Sequence, residues 1–264
     1  MAIYALTSFS ASPGVTTTAI AWANLSPRPT LIVEADTRGG SPILAGVWAG
    51  QQPHTTSILE LANRDRAGYV EFLHERTLLL PGTTDRRLLP AIPSPEHAHP
   101  LAGVWRPLSA ALRTISAEGG VDVIIDAGRV SDSAAWTLLE TADCVLALTD
   151  TTLPALNTTV IGLQALRGRL EQSGTPDRVG LVPVTGRDKG PDIRPYGARE
   201  IQGIVGPTAV VAEVARDEAR AAVYGASIAP SRGHGSSGYV RSINHLVKAA
   251  AQHADRARAI LQES

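Results

Sequence analysis

Three groups of residues in this chain have the types and spacing to handle a phosphorylated ligand. The first is Ser12-Pro13-Gly14-Val15-Thr16-Thr17, a run of mostly small residues between the apolar stretch 3–6 and a helical pattern over 19–25. A strand that feeds a tight loop and then a helix turns unpaired N–H groups and the positive end of the helix dipole toward an anion. The second group is Glu34 and Asp36, which close the apolar run 30–33, and the third is Asp126, which closes the run 121–125. A divalent cation on nucleotide phosphates takes hard oxygen ligands, typically a loop hydroxyl and a strand-end carboxylate. Thr16 and Asp126 have those chemistries, and Ser12, Pro13, Gly14, Val15, Thr16 and Thr17 are the candidate cradle.

The usual pattern for such a cradle is G-x-x-x-x-G-K-[ST]. Laid over residues 9–16, it keeps Gly14 and Thr16, but Phe9 stands at the first glycine and Val15 at the lysine. Two arginines lie close to the acidic groups in sequence, Arg38 after Asp36 and Arg129 after Asp126. Either has the planar, multidentate head that suits a phosphate. Other chemistries find less support. Ser8, Ser10 and Ser12 make no G-x-S-x-G elbow, the histidines show no dense ligand spacing, and the single cysteine, Cys144, sits in an apolar run as an inert core thiol.

The elements that must hold these groups follow from periodicity. Short apolar runs at 3–6, 30–33, 77–80, 121–125, 144–148, 179–184 and 208–212 read as strands, several of them apolar throughout, as buried parallel strands are. Helical spacing appears at 19–25, 43–48, 55–76, 101–117, 133–141, 153–172, 198–204, 217–224 and 239–262, whereas the proline-rich 82–100 reads as a surface excursion. Strict alternation predicts an α/β fold, one doubly wound, mostly parallel sheet flanked by helices, with 1–264 a single domain. Ligands of such sheets sit at the carboxyl ends of the strands, where Gly14, Asp36, Asp126 and Asp150 fall. With 44% hydrophobic residues, 19% charged residues and a net charge of −1, the chain has ample core and no global field drawing it to nucleic acid or membrane. Of its 24 basic residues only Lys189 and Lys248 are lysines. The lone cysteine suits a reducing compartment, no apolar run approaches a membrane span, and no secretory signal is visible, so a cytoplasmic protein is expected.

Four segments in this order resemble the ParA/MinD family of deviant Walker-type ATPases, over most of the chain. Residues 13–19 (PGVTTTA) look like the family's G-V-G-K-T-T-T-A, residues 31–37 (LIVEADT) like its L-x-I-D-x-D-x segment, residues 122–126 (DVIID) like its Walker B strand, and 144–152 (CVLALTDTT) like a later strand and loop. The resemblance implies a P-loop fold that binds ATP with Mg²⁺. It places Gly14 and Thr17 at phosphates, Thr16 and Asp126 at the metal, and Asp36 at the carboxylate tied to the attacking water. The family's loop lysine falls on Val15 and its signature lysine, which crosses the dimer interface, on Ser10, so both are missing. Residues 182–187 also lack the asparagine that many relatives use near adenine.

What the resemblance implies is therefore a homodimer with a degenerate loop. It would bind nucleotide weakly, hydrolyse slowly or not at all, and recruit protein partners in positioning, partition or assembly of a cellular machine. The alternatives are an active ATPase in which arginine replaces the lysine, and a small-molecule ligase like dethiobiotin synthase with a substrate pocket near 82–100. Family members also use basic C-terminal surfaces for nonspecific DNA. Here the last helix carries Arg241, Lys248, Arg256 and Arg258 on one face, while its other face is too alanine-rich for membrane attachment to be expected.

Overall fold

Buried apolar runs decide the architecture of the computed structural model, which describes residues 1–10, 13–130, 135–186 and 195–263. In chain order the elements are β1 (Ile3–Ser8), α1 (Val15–Leu25), β2 (Thr30–Glu34), α2 (Pro42–Val47), α3 (Tyr69–Arg76), β3 (Leu78–Leu79), β4 (Arg86–Leu89), α4 (Trp105–Gly119), β5 (Asp122–Arg129), α5 (Trp136–Thr141), β6 (Cys144–Asp150), α6 (Leu153–Glu171), β7 (Val179–Thr185), α7 (Ala198–Val205), β8 (Ala209–Val210), β9 (Val214–Ala215), α8 (Glu218–Gly225) and α9 (Gly238–Glu263). The strands form one sheet in the order β3-β4-β2-β5-β1-β6-β7-β8, with β9 beside β7. All pairs are parallel except β3 with β4. This is the doubly wound α/β arrangement expected from the alternation.

Each face of the sheet carries its own core. Leu31, Val33, Val123, Ile125, Val145 and Leu181 point toward a layer containing α3 to α7, whereas Tyr4, Leu6, Ile32, Ile124, Leu146 and Val182 meet α1, α2 and α9. Inner strands buried on both faces explain why their sequences are apolar without alternation. Helix α1 is enclosed nearly all round, with Val15, Ala19, Ile20, Ala21, Trp22 and Ala23 buried and the Trp22 ring 4.9 Å from that of Tyr4. Helix α9 lays Val240, Ile243, Leu246, Ala250 and Ala254 against the sheet and leaves Arg241, Lys248 and Arg256 exposed. Its Arg258 is engaged with Asp255 at 3.0 Å. Among the described residues no helix is long and apolar enough to cross a membrane.

Several segments depart from their sequence-based expectations. The helix predicted over 55–76 is broken into 3-10 turns at Ile58–Asn63 and Arg66–Gly68 before α3 begins. Ser57 and Glu60 close a capping box at the first turn, and Arg64 is extended, so the apolar spacing is shared by separate pieces. The excursion at 82–100 contains β4, which pairs with β2 from Thr30↔Arg86 to Val33↔Leu89, and then a 3-10 segment Pro95–Gly103. The helix predicted over 101–117 is accordingly α4, starting later. The helix predicted over 133–141 starts at Trp136, and no side chain caps it at Ala135; Ser133 lies outside the described residues. The strand predicted over 208–212 is the short β8, followed by the separate β9.

Because α1 joins its layer through Trp22, truncating that side chain removes a large buried volume. Trp22→Ala should lower the unfolding free energy by about 3–5 kcal/mol, measured by urea denaturation.

Candidate phosphate-binding site

The end of β1 and the start of α1 build the site. Gly14 stands at the helix N-cap with φ 90° and ψ 38°, a left-handed conformation that glycine adopts without steric cost, and no side chain caps the helix there. Among the described residues, no side-chain acceptor meets the N–H groups of the first turn. Phe9, at the position of the first glycine of the usual pattern, packs its ring where Gly162 of α6 leaves room. Val15 is buried in the core at 6% exposure, so the lysine position now serves the packing of α1.

Strand ends bring the acidic groups together. Leu6 and Glu34 both pair at the level of Asp126, and the register of β1 on β5 then slips so that Ser8 lies opposite Arg129. Asp126 is 2% exposed, accepts a hydrogen bond from the Gly128 N–H at 3.0 Å, and lies close enough to the Thr16 hydroxyl to be stabilised by it. Gly128 has φ +57°, and a Cβ there would fall 2.0 Å from Asp36 Oδ2, so only glycine lets the Asp36 carboxylate lie over β5. Asp36 is clamped by Arg38, whose Nη2 lies 2.5 Å from Oδ2 and whose Nε lies 3.0 Å from each carboxylate oxygen. The Arg38 N–H adds a 2.9 Å bond to Oδ1.

Two cavities meet at this point. One, of about 270 Å³, is lined by Ser8, Gly14, Val15, Thr16, Thr17, Arg38, Gly128 and Arg129. The other, of about 170 Å³, shares Gly14 and Thr17 and adds Pro13, Thr18, Val184, Val214, Ala215, Ala221 and Tyr239 together with the charged Arg216, Asp217 and Glu218. The first combines helix N–H groups, hydroxyls and two guanidinium-bearing residues, a chemistry suited to anionic oxygens; the second is more apolar. The Tyr239 hydroxyl is buried there and pairs with no group among the described residues.

Burial dominates the electrostatics. It raises the Asp126 carboxyl to about 6, partly offset by the Thr16 and Gly128 hydrogen bonds. Glu34 is more extreme: burial pushes it to about 8, against the lowering effect of Ser41, Ile43 and Ala91. Those three contacts give its role, since Glu34 accepts from the Ser41 hydroxyl, the Ile43 N–H at 3.2 Å and the Ala91 N–H at 3.3 Å. It ties α2 and the segment after β4 to the sheet.

Of the sequence-based candidates, Pro13, Gly14, Thr16 and Thr17 line the paired cavities, and Val15 floors one of them with its side chain in the core. Asp126 and Asp36 stand behind that lining, one under Thr16 and the other behind Arg38. Ser12 lies outside the described residues. Asp150 is drawn aside into an ion pair with Arg216. Sequence reasoning missed the second cavity, whose walls come from β7, β9 and α9; only the run of small and apolar residues at 208–215 hinted at it.

The sequence matches no family model, and no curated protein is detectably similar to it. Solved structures are similar in fold. A ParA family ATPase from Chlorobium tepidum superposes with a TM-score of 0.69 at 13% identity, covering 94% of this chain and 98% of that one. The septum site-determining protein MinD from Pyrococcus horikoshii, complexed with Mg-ADP, gives 0.67 at 15% identity over 97% and 98%. The MinC:MinD cell division complex from Aquifex aeolicus gives 0.68 at 13% identity over 94% and 95%. The chain therefore has the fold of the ParA/MinD ATPases along nearly its whole length.

The raised Glu34 sets a pH dependence. An unfolded glutamate loses its proton near 4.5 while the folded one holds it to about 8, so the folded state binds more protons in that window. Stability should therefore fall as pH rises from 6 to 8, above the range in which Asp126 also contributes, by about 1.4 kcal/mol per pH unit for one such group. Urea midpoints across that range read the slope, and Glu34→Gln should flatten it.

Proposed function

We propose that this chain is a ParA/MinD-like nucleotide-binding protein with a lysine-free loop, which binds ATP weakly, hydrolyses it slowly or not at all, and acts as a cytoplasmic dimeric scaffold. One observation carries the nucleotide reading. A cavity lined by two arginines, hydroxyls and helix N–H groups meets a more apolar one at Gly14 and Thr17, as a polyphosphate joined to a base would need. The unpaired Tyr239 hydroxyl in the apolar half offers a partner to a polar edge of the base.

The residues present fit Mg²⁺ as well. Thr16 and Asp126 are hard oxygen donors close enough for the hydroxyl to stabilise the carboxylate, and a cation held there would draw on both oxygens. When bound, it would neutralise charge on the phosphate oxygens. Thr16 and Asp126 would hold it, Gly14 and Thr17 would present backbone N–H groups to phosphate, and Asp36 would face the attacking water. The Mg-ADP bound by the Pyrococcus horikoshii MinD supports this assignment.

The scaffold part rests on what is missing. A charge-assisted hydrogen bond contributes roughly 1.5–3 kcal/mol, so replacing the loop lysine by Val15 weakens ground-state binding, and phosphoryl transfer suffers more. Ser10 likewise supplies no cation to a partner subunit. Work through recruitment of a protein partner is in keeping with the MinC:MinD complex of Aquifex aeolicus, and the process served would be positioning, partition or assembly. The exposed Arg241, Lys248 and Arg256 of α9 offer a contact for nonspecific DNA.

Calorimetric titration of Mg-ATP into wild type and Val15→Lys tests the reading. Weak binding by the wild type and binding about tenfold tighter by the variant are expected; brisk ATP turnover by the purified wild type would overturn the scaffold assignment. Sedimentation of the same samples reports whether a dimer forms and whether nucleotide changes it.

A further inference from the structure

We infer that Arg38 and Arg129 supply the phosphate-binding charge that the loop lacks, and that Arg38 does so by leaving Asp36, so that ligand binding uncovers that carboxylate. The inference rests on the nucleotide reading and names the groups and the coupling within that same site.

Both arginines line the cavity that Gly14, Thr16 and Thr17 floor, and they reach it from different strands. Arg129 arrives because β5 runs on to its position and the slip in register sets it beside Ser8. It forms no ion pair among the described residues. Arg38 comes from the turn after β2 and, among the described residues, its guanidinium is held by Asp36 alone, through two nitrogen atoms. Its side chain is 54% exposed, so this pair is a screened one, worth far less than a desolvated contact with a polyanion. Asp36 cannot follow the arginine, because its carboxylate is pinned against Gly128 and holds the Arg38 N–H.

The two partners of Arg38 are therefore alternatives. A polyphosphate carries more negative charge than one carboxylate and offers oxygens in the fork geometry that guanidinium prefers. Once Arg38 turns to it, Asp36 is left as a bare carboxylate at the rim of the same cavity. A single equilibrium then links occupancy to exposure of Asp36, with Arg38 as the moving part.

Calorimetric titration of Mg-ATP, and separately of inorganic triphosphate with Mg²⁺, into wild type, R38A, R129A, D36N and D36N/R38A tests this. R38A and R129A should each weaken both probes by about tenfold, the size of a lost charge-assisted contact. D36N should tighten both by about two- to fivefold, matching the release of an exposed ion pair, and the gain should vanish in D36N/R38A. Thermal melts verify that these exposed arginine variants stay folded. If R38A and R129A bind as the wild type does, the charge assignment is overturned while the nucleotide reading stands. If D36N binds as the wild type does, the coupling is overturned. If the wild type binds neither probe, the nucleotide reading falls and this inference with it.

Discussion

The approach of the Thr16 hydroxyl to the buried Asp126 carboxylate is the contact on which the site depends. It joins the first turn of α1 to the end of β5 and fixes the helix N-terminus over the middle of the sheet. Asp126 is placed by pairing on two sides, with β1 at Leu6 and β2 at Glu34. A carboxylate so deeply buried is tolerated because the Gly128 N–H donates to it at 3.0 Å and the nearby Thr16 hydroxyl stabilises it. The remaining features follow from this anchor: Gly14 turns the chain into α1, Gly128 clears space for Asp36, and Asp36 holds Arg38 at the rim.

Charge is arranged here in layers of increasing exposure. Glu34 is sealed against α2 and serves the fold, Asp126 sits just under the cradle, and Asp36 with Arg38 lies at the surface. Burial raises both Glu34 and Asp126, and the hydrogen bonds each accepts offset part of that rise. Guanidinium groups at the outermost layer keep full charge and freedom of movement. A lysine inside the loop would instead be fixed in place by the helix that carries it.

Much of this was legible in the residues. Strands β1, β2, β5, β6 and β7 are buried on both faces and so appear as plain apolar runs, and α6 and α9 show their periods over many turns. Gly14, Thr16, Thr17 and Asp126 announce themselves by order and spacing, and the arginines by standing next to the two aspartates. Strand β4 was hidden because it opens with Arg86-Arg87, whose side chains reach over the sheet edge to the Ala23 and Ser26 carbonyls and to His74. Its register on β2 is a long-range fact that no local pattern encodes. The apolar cavity was hidden for the same reason: Pro13, Val184, Val214 and Tyr239 become neighbours only when β7, β9 and α9 fold onto the loop.

Val15 separates folding from occupancy. A lysine there would leave the empty protein with an unmatched ammonium beside a helix N-terminus, a cost that only a bound anion removes. Valine fills that place with apolar contact, worth on the order of 1.5–3 kcal/mol for a fully buried side chain. A ligand that binds weakly adds little through mass action. The seating of the first turn of α1 thereby comes from the chain's own core, whether or not an anion occupies the cavity.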